Sequence, residues 1–370
     1  MPRLPRIGTI GVGMILAVSL PPALAAGAEP DGPPSAERAA DADVYPHKSV
    51  RRQEYGTGPR SYWIFEPAEP TPELAPVVVF HHGWLAVNPA AYGAWIDHLA
   101  RRGSIVIFPR YQHDWNTKPT DFLPNALAAI HDALHVLETS PKHIRPDRAR
   151  FALIGHSAGG NLSAQIAAVA EEHGLPRPRA VIALLPGEVV PSREPSLARI
   201  HETTLLVVAA AEDDRVVGDV RARRIFSETT AIPAARKKFV LYRTDLHGHP
   251  RLLADHTSPT GAYRGFDTGD GLLRGFQMSR AEINAFDIAG YWRLADVTLA
   301  AAFSGRTLDE ATDRGELFRN LGYWSDGRAV NKPIVGDDLA TIPRVFPTNG
   351  LRLIQWTPDV AVNPDLKIVK

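Results

Sequence analysis

Short apolar runs alternate along the chain with longer stretches in which apolar residues recur every three or four positions. The runs occupy residues 61–65, 77–80, 104–108, 151–154, 180–185, 204–209 and 238–242. Helical spacing appears between them, for example at Tyr92, Trp95 and Leu99. Continuous apolar runs are typical of strands that are covered on both faces. Apolar residues at every third or fourth position are typical of amphipathic helices. The alternation predicts an α/β fold, in which helices flank a mainly parallel central sheet. A helical stripe over 288–299 predicts an extra C-terminal segment packed back on that sheet.

The first 25 residues have the pattern of a secretory signal peptide. Arg3 and Arg6 precede an uncharged, mostly apolar stretch over 7–20, and Ala23-Leu24-Ala25 forms a small-residue cleavage site. The apolar stretch is shorter than the ~20 residues that a membrane-spanning helix needs, so we predict no stable membrane insertion. The alternative is an uncleaved anchor. The predicted location is secreted or periplasmic, after removal of residues 1–25.

The rest of the chain divides by composition. Residues 26–45 are rich in Pro, Ala, Glu and Asp, which predicts a disordered lead-in. Residues 46–370 are predicted to form a single α/β domain, a size that is ordinary for an α/β enzyme with insertions. Within it, the segment at about 251–285 is polar and glycine-rich with little periodicity, which indicates a surface excursion or a lid.

Composition narrows the classes of function. The chain has no cysteine, so an exported form must be stable without disulfides, and a thiol nucleophile is excluded. Lys and Arg number 41 and Asp and Glu number 41, with no basic block. This balance argues against nucleic acid as a partner. The oligomeric state is left open.

A Gly-x-Ser-x-Gly motif carries the clearest chemical signal. Gly155-His156-Ser157-Ala158-Gly159 follows the apolar run 151–154 and opens a small-residue helical stretch over 161–170. A sharp turn between a strand and a helix raises a serine hydroxyl above the sheet, and glycines flank it because a Cβ there would collide with neighbouring backbone. This context predicts that Ser157 is a nucleophile. By itself the motif is also compatible with an ordinary glycine–serine turn.

Two later loops supply candidates for the acid and the base. After the run 204–209 come Asp213 and Asp214, and we prefer Asp214, with Asp213 as the alternative. After the run 238–242 come His247 and His249. We prefer His247 as general base because His249 precedes a proline that restricts its backbone. A carboxylate at the end of a strand orients such an imidazole and stabilises its charged form.

The order Ser157, Asp214, His247 resembles that of the α/β-hydrolase superfamily, and the likeness extends from about Tyr62 to Pro250. The elbow is similar to those of secreted lipases, cutinase-like polyesterases, chlorophyllases and platelet-activating-factor acetylhydrolases. The resemblance implies an oxyanion hole formed by the backbone N–H groups of Trp84, after a His82-Gly83 pair, and of Ala158. Some hydrolases place the acid one strand earlier, which would make it Glu188.

The resulting hypothesis is a secreted serine ester hydrolase of the carboxylesterase or lipase type, acting through an acyl-enzyme on a small-molecule, lipid or polymer ester. An acyltransferase or amidase with the same triad is one alternative, and a non-catalytic binding protein with the hydrolase fold is another. Candidates to hold an apolar or aromatic ester at the mouth of the site are Trp84, Tyr92, Trp95, Tyr111 and Trp115. The alternative for Tyr92 and Trp95 is that they anchor a helix to the sheet.

We predict no metal and no cofactor. His131 and His135 have metal-ligand spacing on one helix, but Asp132 follows the first histidine and no third ligand is evident. A solvated helix face is the better explanation of this pair.

Overall fold

The computed structural model describes residues 45–188 and 194–346. A nine-stranded sheet, in the order β1-β2-β4-β3-β5-β6-β7-β8-β9, runs through this part of the chain. Strands β3 to β8 are parallel to one another, with Val79 opposite Leu153, while β1, β2 and β9 pair antiparallel at the edges. The strands are β1 (Ser49–Tyr55), β2 (Tyr62–Ala68), β3 (Leu74–His81), β4 (Ile105–Pro109), β5 (Arg145–His156), β6 (Ala180–Leu184), β7 (Leu205–Ala211), β8 (Lys237–Tyr242) and β9 (Ile334–Gly336).

Helices cover both faces of the sheet. They are α1 (Gly93–Arg101), α2 (Phe122–Thr139), α3 (Ala158–Val169), α4 (Val220–Glu228), α5 (Arg274–Arg280), α6 (Arg293–Ser304), which a π-helical segment (Phe286–Trp292) precedes, and α7 (Leu308–Thr312). Helices α2, α3 and α4 bury residues such as Leu134 and Ile166 against one face. Helices α1 and α6 bury Trp95 and Leu294 against the other. Every residue of β6 is buried, as expected of a strand with helices on both sides.

The predicted fold class is confirmed, since each apolar run singled out in the sequence coincides with a strand of this sheet, apart from at most one residue at an end. The edge strands β1 and β9 were not predicted. Strand β1 reads Ser-Val-Arg-Arg-Gln-Glu-Tyr and β9 has three residues, so neither contains an apolar run. The helical stripe over 288–299 does pack on the sheet, through the π-helical segment and α6.

The predicted signal peptide lies outside the described residues, as does the lead-in apart from Tyr45. Across residues 45–188 and 194–346, none of the helices combines the length and apolarity needed to cross a membrane.

The polar segment 251–285 leaves the sheet after β8 and carries the short helix α5, which has no buried residue. Its central loop is fixed to the body of the protein through Asp267. The Asp267 carboxylate accepts hydrogen bonds from Asn88 Nδ2 at 2.8 Å and Arg274 Nε at 2.7 Å. These hydrogen bonds hold the pKa of Asp267 below its usual range, with the Arg274 bond as the main cause. The segment is therefore anchored at its middle, and the first residue of α5, Arg274, takes part in this anchoring.

Candidate active site

Ser157 occupies a strained turn between β5 and α3. Its φ is 55° and its ψ is −122°, a backbone conformation that residues other than glycine rarely adopt. The Ser157 N–H donates to the carbonyl of Leu184 on β6 at 2.9 Å, which ties the turn to the neighbouring strand. The predicted strand–turn–helix context is therefore present, and the serine stands at the carboxyl edge of the parallel strands.

Glycine is required on both sides of this turn because the backbone passes too close for a side chain. A Cβ on Gly155 would lie 2.1 Å from the carbonyl oxygen of Gly159. A Cβ on Gly159 would lie 2.2 Å from the carbonyl oxygen of His81 on β3. The collision predicted from the motif is thus real at both positions, and it is with backbone, which cannot move aside as a side chain can.

A continuous hydrogen-bonded chain leads away from the serine hydroxyl. His256 Nε2 lies 2.9 Å from Ser157 Oγ, and His256 Nδ1 lies 2.8 Å from Asp214 Oδ2. The carboxylate can only accept, so Nδ1 carries the proton and Nε2 presents its lone pair to the hydroxyl. Asp214 is fully buried, and its other oxygen accepts the N–H groups of Val216 and Val217 at 2.9 and 3.0 Å. The arrangement is that of a nucleophile, a base and an orienting acid.

The predicted base, His247, is not part of this chain. Its Nε2 lies 2.7 Å from Asp326 Oδ2 and its Nδ1 lies 2.8 Å from Arg328, on the C-terminal part of the chain. The prediction that His247 reaches Ser157 is wrong, and His256 stands in its place. The structure thus joins Ser157 and Asp214 as expected, but through a histidine that sequence reasoning missed.

The reason is an extra loop after β8. Asp245 and Leu252 pair across it, so residues 246–251 form a turn in which His247 contacts Asp326 and Arg328. The histidine that contacts Ser157 follows only after this turn, at position 256. Asp245 fixes this turn: its carboxylate accepts from the His247 N–H, the Trp324 indole and the Asn331 N–H. Burial opposes its charged form, but these hydrogen bonds hold the pKa of Asp245 below its ordinary value. The sequence offers no spacing rule that reveals such a turn.

The remaining alternatives for the acid and base do not contact Ser157 or His256: Asp213 borders the same cavity but has other partners. Asp213 accepts from the Thr244 hydroxyl and lies 3.6 Å from Arg215. Glu188 has a half-exposed side chain that lies 3.6 Å from Arg224. His249 does not line the cavity described below.

The two residues predicted to form the oxyanion hole, Trp84 and Ala158, lie in segments that adjoin the elbow. Ala158 is the first residue of α3, so its N–H has no acceptor within the helix. Trp84 lies between two anchored neighbours: the Gly83 N–H donates to Tyr92 Oη at 2.9 Å, and the Leu85 N–H donates to Gln112 Oε1 at 2.8 Å. Gly83 also lies against the elbow, since a Cβ there would be 3.3 Å from Ser157 Cβ.

A cavity of about 670 Å³ opens directly onto Ser157 and His256. Its apolar lining consists of Trp84, Ala86, Ala91, Val216, Leu246, Leu253, Leu273 and Phe276. Leu246, Leu253 and Phe276 are exposed at its mouth, and Phe276 belongs to α5. Of the aromatic residues expected near the mouth, Trp84 and Tyr92 line this cavity, Trp95 and Tyr111 are buried in the interior, and Trp115 is half exposed away from it.

Comparison with known proteins agrees with the topology. A family model described as the alpha/beta hydrolase fold matches residues 77–224, a span that runs from β3 through the elbow and Asp214 into α4. No curated protein matches the chain. Hydrolases of this fold act on small molecules in a pocket at the carboxyl ends of the strands, where the cavity lies here. The family match and the nine-stranded sheet together show an α/β-hydrolase fold, and they support the resemblance to the α/β-hydrolase superfamily seen in the sequence.

Proposed function

We propose that the protein is a serine hydrolase of carboxylic esters that works through an acyl-enzyme. The observation that carries the proposal is the chain from Ser157 Oγ through His256 to the buried Asp214, which opens into a cavity. The non-catalytic alternative requires that no imidazole reach the serine hydroxyl. The 2.9 Å contact of His256 argues against it.

The proposed reaction has two halves. His256 Nε2 accepts the hydroxyl proton while Ser157 Oγ attacks the acyl carbon, and the amides of Trp84 and Ala158 stabilise the negative charge on the carbonyl oxygen. The imidazolium, held by Asp214, then gives its proton to the leaving alkoxy oxygen. In the second half, His256 takes a proton from water, whose oxygen attacks the acyl carbon. The proton returns to Ser157 Oγ as the acid leaves.

The pattern of residues 1–25 supports the further proposal that this hydrolase is exported to the periplasm or beyond. An exported form would depend on packing rather than cross-links, since the chain has no cysteine.

Covalent labelling tests the assignment of Ser157. We expect a fluorophosphonate probe to modify wild-type protein at Ser157, identified by peptide mapping, because only an activated serine attacks such a probe rapidly. The Ser157→Ala variant should remain unlabelled while keeping the wild-type melting temperature. A wild-type protein that is folded, unlabelled and inactive on nitrophenyl esters would contradict the proposal. Product analysis with alcohol and amine acceptors present separates hydrolysis from acyl transfer.

The lining of the cavity supports esters with an apolar acyl or alcohol group. We expect kcat/KM for nitrophenyl esters to rise from acetate to octanoate. Replacing Phe276 by serine should lower the octanoate value about 3- to 10-fold and change the acetate value little, because roughly 1 kcal/mol of apolar contact is lost.

Phe346→Ser is the matched control. Both phenylalanines are exposed and have an arginine over the ring, Arg280 at 5.8 Å and Arg344 at 5.4 Å, but Phe346 does not line the cavity. Equal losses in the two variants, or equal losses for the two esters, would contradict a role of the cavity in binding the acyl chain.

A further inference from the structure

A second hydrogen-bonded chain adjoins the site and involves His156, the residue before the proposed nucleophile. Its Nδ1 lies 2.8 Å from Tyr92 Oη, and its Nε2 lies 2.9 Å from the backbone carbonyl oxygen of His256. Tyr92 Oη in turn lies 2.9 Å from the N–H of Gly83, the residue before Trp84. The chain therefore connects the loop of the oxyanion amide, the elbow and the loop of the base.

The donors and acceptors along this chain have one consistent arrangement. The His256 carbonyl can only accept, so the His156 proton is on Nε2 and Nδ1 accepts the Tyr92 hydroxyl proton. The Tyr92 oxygen keeps a lone pair, which accepts the Gly83 N–H. This arrangement needs a neutral imidazole, and burial lowers the pKa of His156 well below its ordinary value.

Both side chains are held rigidly. Tyr92 and His156 are 1% and 4% exposed, and their rings lie 5.9 Å apart between centroids. The His156 ring is 4.9 Å from the His256 ring. A shift of either buried side chain would move a partner that belongs to the proposed catalytic machinery.

We infer that His156 and Tyr92 are positioning residues that fix the His256 loop and the oxyanion loop relative to Ser157. Both side chains border the cavity, but neither supplies a reacting atom in the proposed reaction. They act because the backbone of His256 and the backbone of Gly83 are two ends of one hydrogen-bonded chain. The inference rests on the proposed hydrolase function.

The test is a set of variants that remove hydrogen-bonding atoms from Tyr92 or His156 and keep a side chain of similar size. Tyr92→Phe removes the hydroxyl, and His156→Phe removes both hydrogen bonds of the imidazole. Each should lower kcat about 10- to 100-fold and leave KM within about twofold, because misplacement of the reacting groups by about 1 Å costs this much rate. The rate of fluorophosphonate labelling should fall with kcat. His156→Gln retains a donor toward the His256 carbonyl and should recover part of the loss.

A double-mutant cycle separates a positioning role from independent local damage. If the two residues form one chain, Tyr92→Phe combined with His156→Phe should lower kcat hardly more than the worse single variant. Tyr62→Phe is the matched control, since Tyr62 is fully buried and its hydroxyl donates to Asp132 at 2.6 Å, outside the site. It should keep wild-type kcat.

The outcomes distinguish this inference from the proposed function. If Ser157→Ala loses labelling but folded Tyr92→Phe and His156→Phe keep wild-type kcat, the positioning role is wrong and the proposed hydrolase function stands. Multiplicative losses in the double variant, or a loss in Tyr62→Phe as large as in Tyr92→Phe, would overturn the positioning role as well. A wild-type protein without esterase activity or labelling would instead overturn the proposed function.

Discussion

Replacing His256 by alanine is expected to lower kcat/KM for a nitrophenyl ester by about 10⁴- to 10⁶-fold, because the Ser157 hydroxyl then has no base to take its proton. KM should change little, since the imidazole is not needed to bind the ester in the ground state. Initial rates over a range of ester concentrations measure both constants. The melting temperature should stay close to that of the wild type, because the His256 side chain lies partly open to the cavity.

His247→Ala is the matched control. It removes an imidazole from the same loop, together with the contacts to Asp326 and Arg328, and should keep kcat/KM within a few-fold of the wild type. A large loss in His247→Ala with an active His256→Ala would reverse the assignment of the base. Equal, modest losses in both variants would show that neither imidazole takes the proton.

Asp214→Asn is expected to lower kcat about 10⁴-fold with little effect on KM. An amide at this position can donate to His256 Nδ1, which favours the tautomer with its proton on Nε2, where it cannot accept the hydroxyl proton. The buried carboxylate also stabilises the imidazolium that forms during the reaction, and the neutral amide does not. Stopped-flow measurement of the acylation phase should show the loss directly.

Asp213→Asn provides the comparison, because Asp213 is adjacent in sequence and contacts Thr244 and Arg215 rather than a histidine. It should keep kcat within about threefold of the wild type. If Asp213→Asn were the more damaging change, the orienting carboxylate would have been assigned to the wrong residue.

Sequence reasoning worked where a local pattern determines the structure. The apolar run before Gly155 and the small residues after Gly159 fix a strand, a turn and a helix, so the place of Ser157 could be predicted from a few adjacent residues. Asp214 comes three residues after the end of β7, and the ends of parallel strands meet at one edge of the sheet. Its position therefore followed from the order of the strands.

It failed where distant residues decide the path of a loop. The turn that carries His247 away from the site is held by Asp245, whose partners Trp324 and Asn331 lie about eighty residues later in the chain. The spacing of apolar residues in the sequence does not indicate such a contact. The edge strands β1 and β9 were missed for a related reason, since an antiparallel edge strand needs no continuous apolar run.

The anchoring of Asp245 also bears on how the protein matures during synthesis. The ribosome makes Ser157 and Asp214 well before Trp324 and Asn331. The latter two residues hold the turn that precedes His256. A nascent chain would therefore possess the attacking group long before its proton acceptor is held in place. The order of translation would thereby delay reactivity until nearly all of the sheet can form.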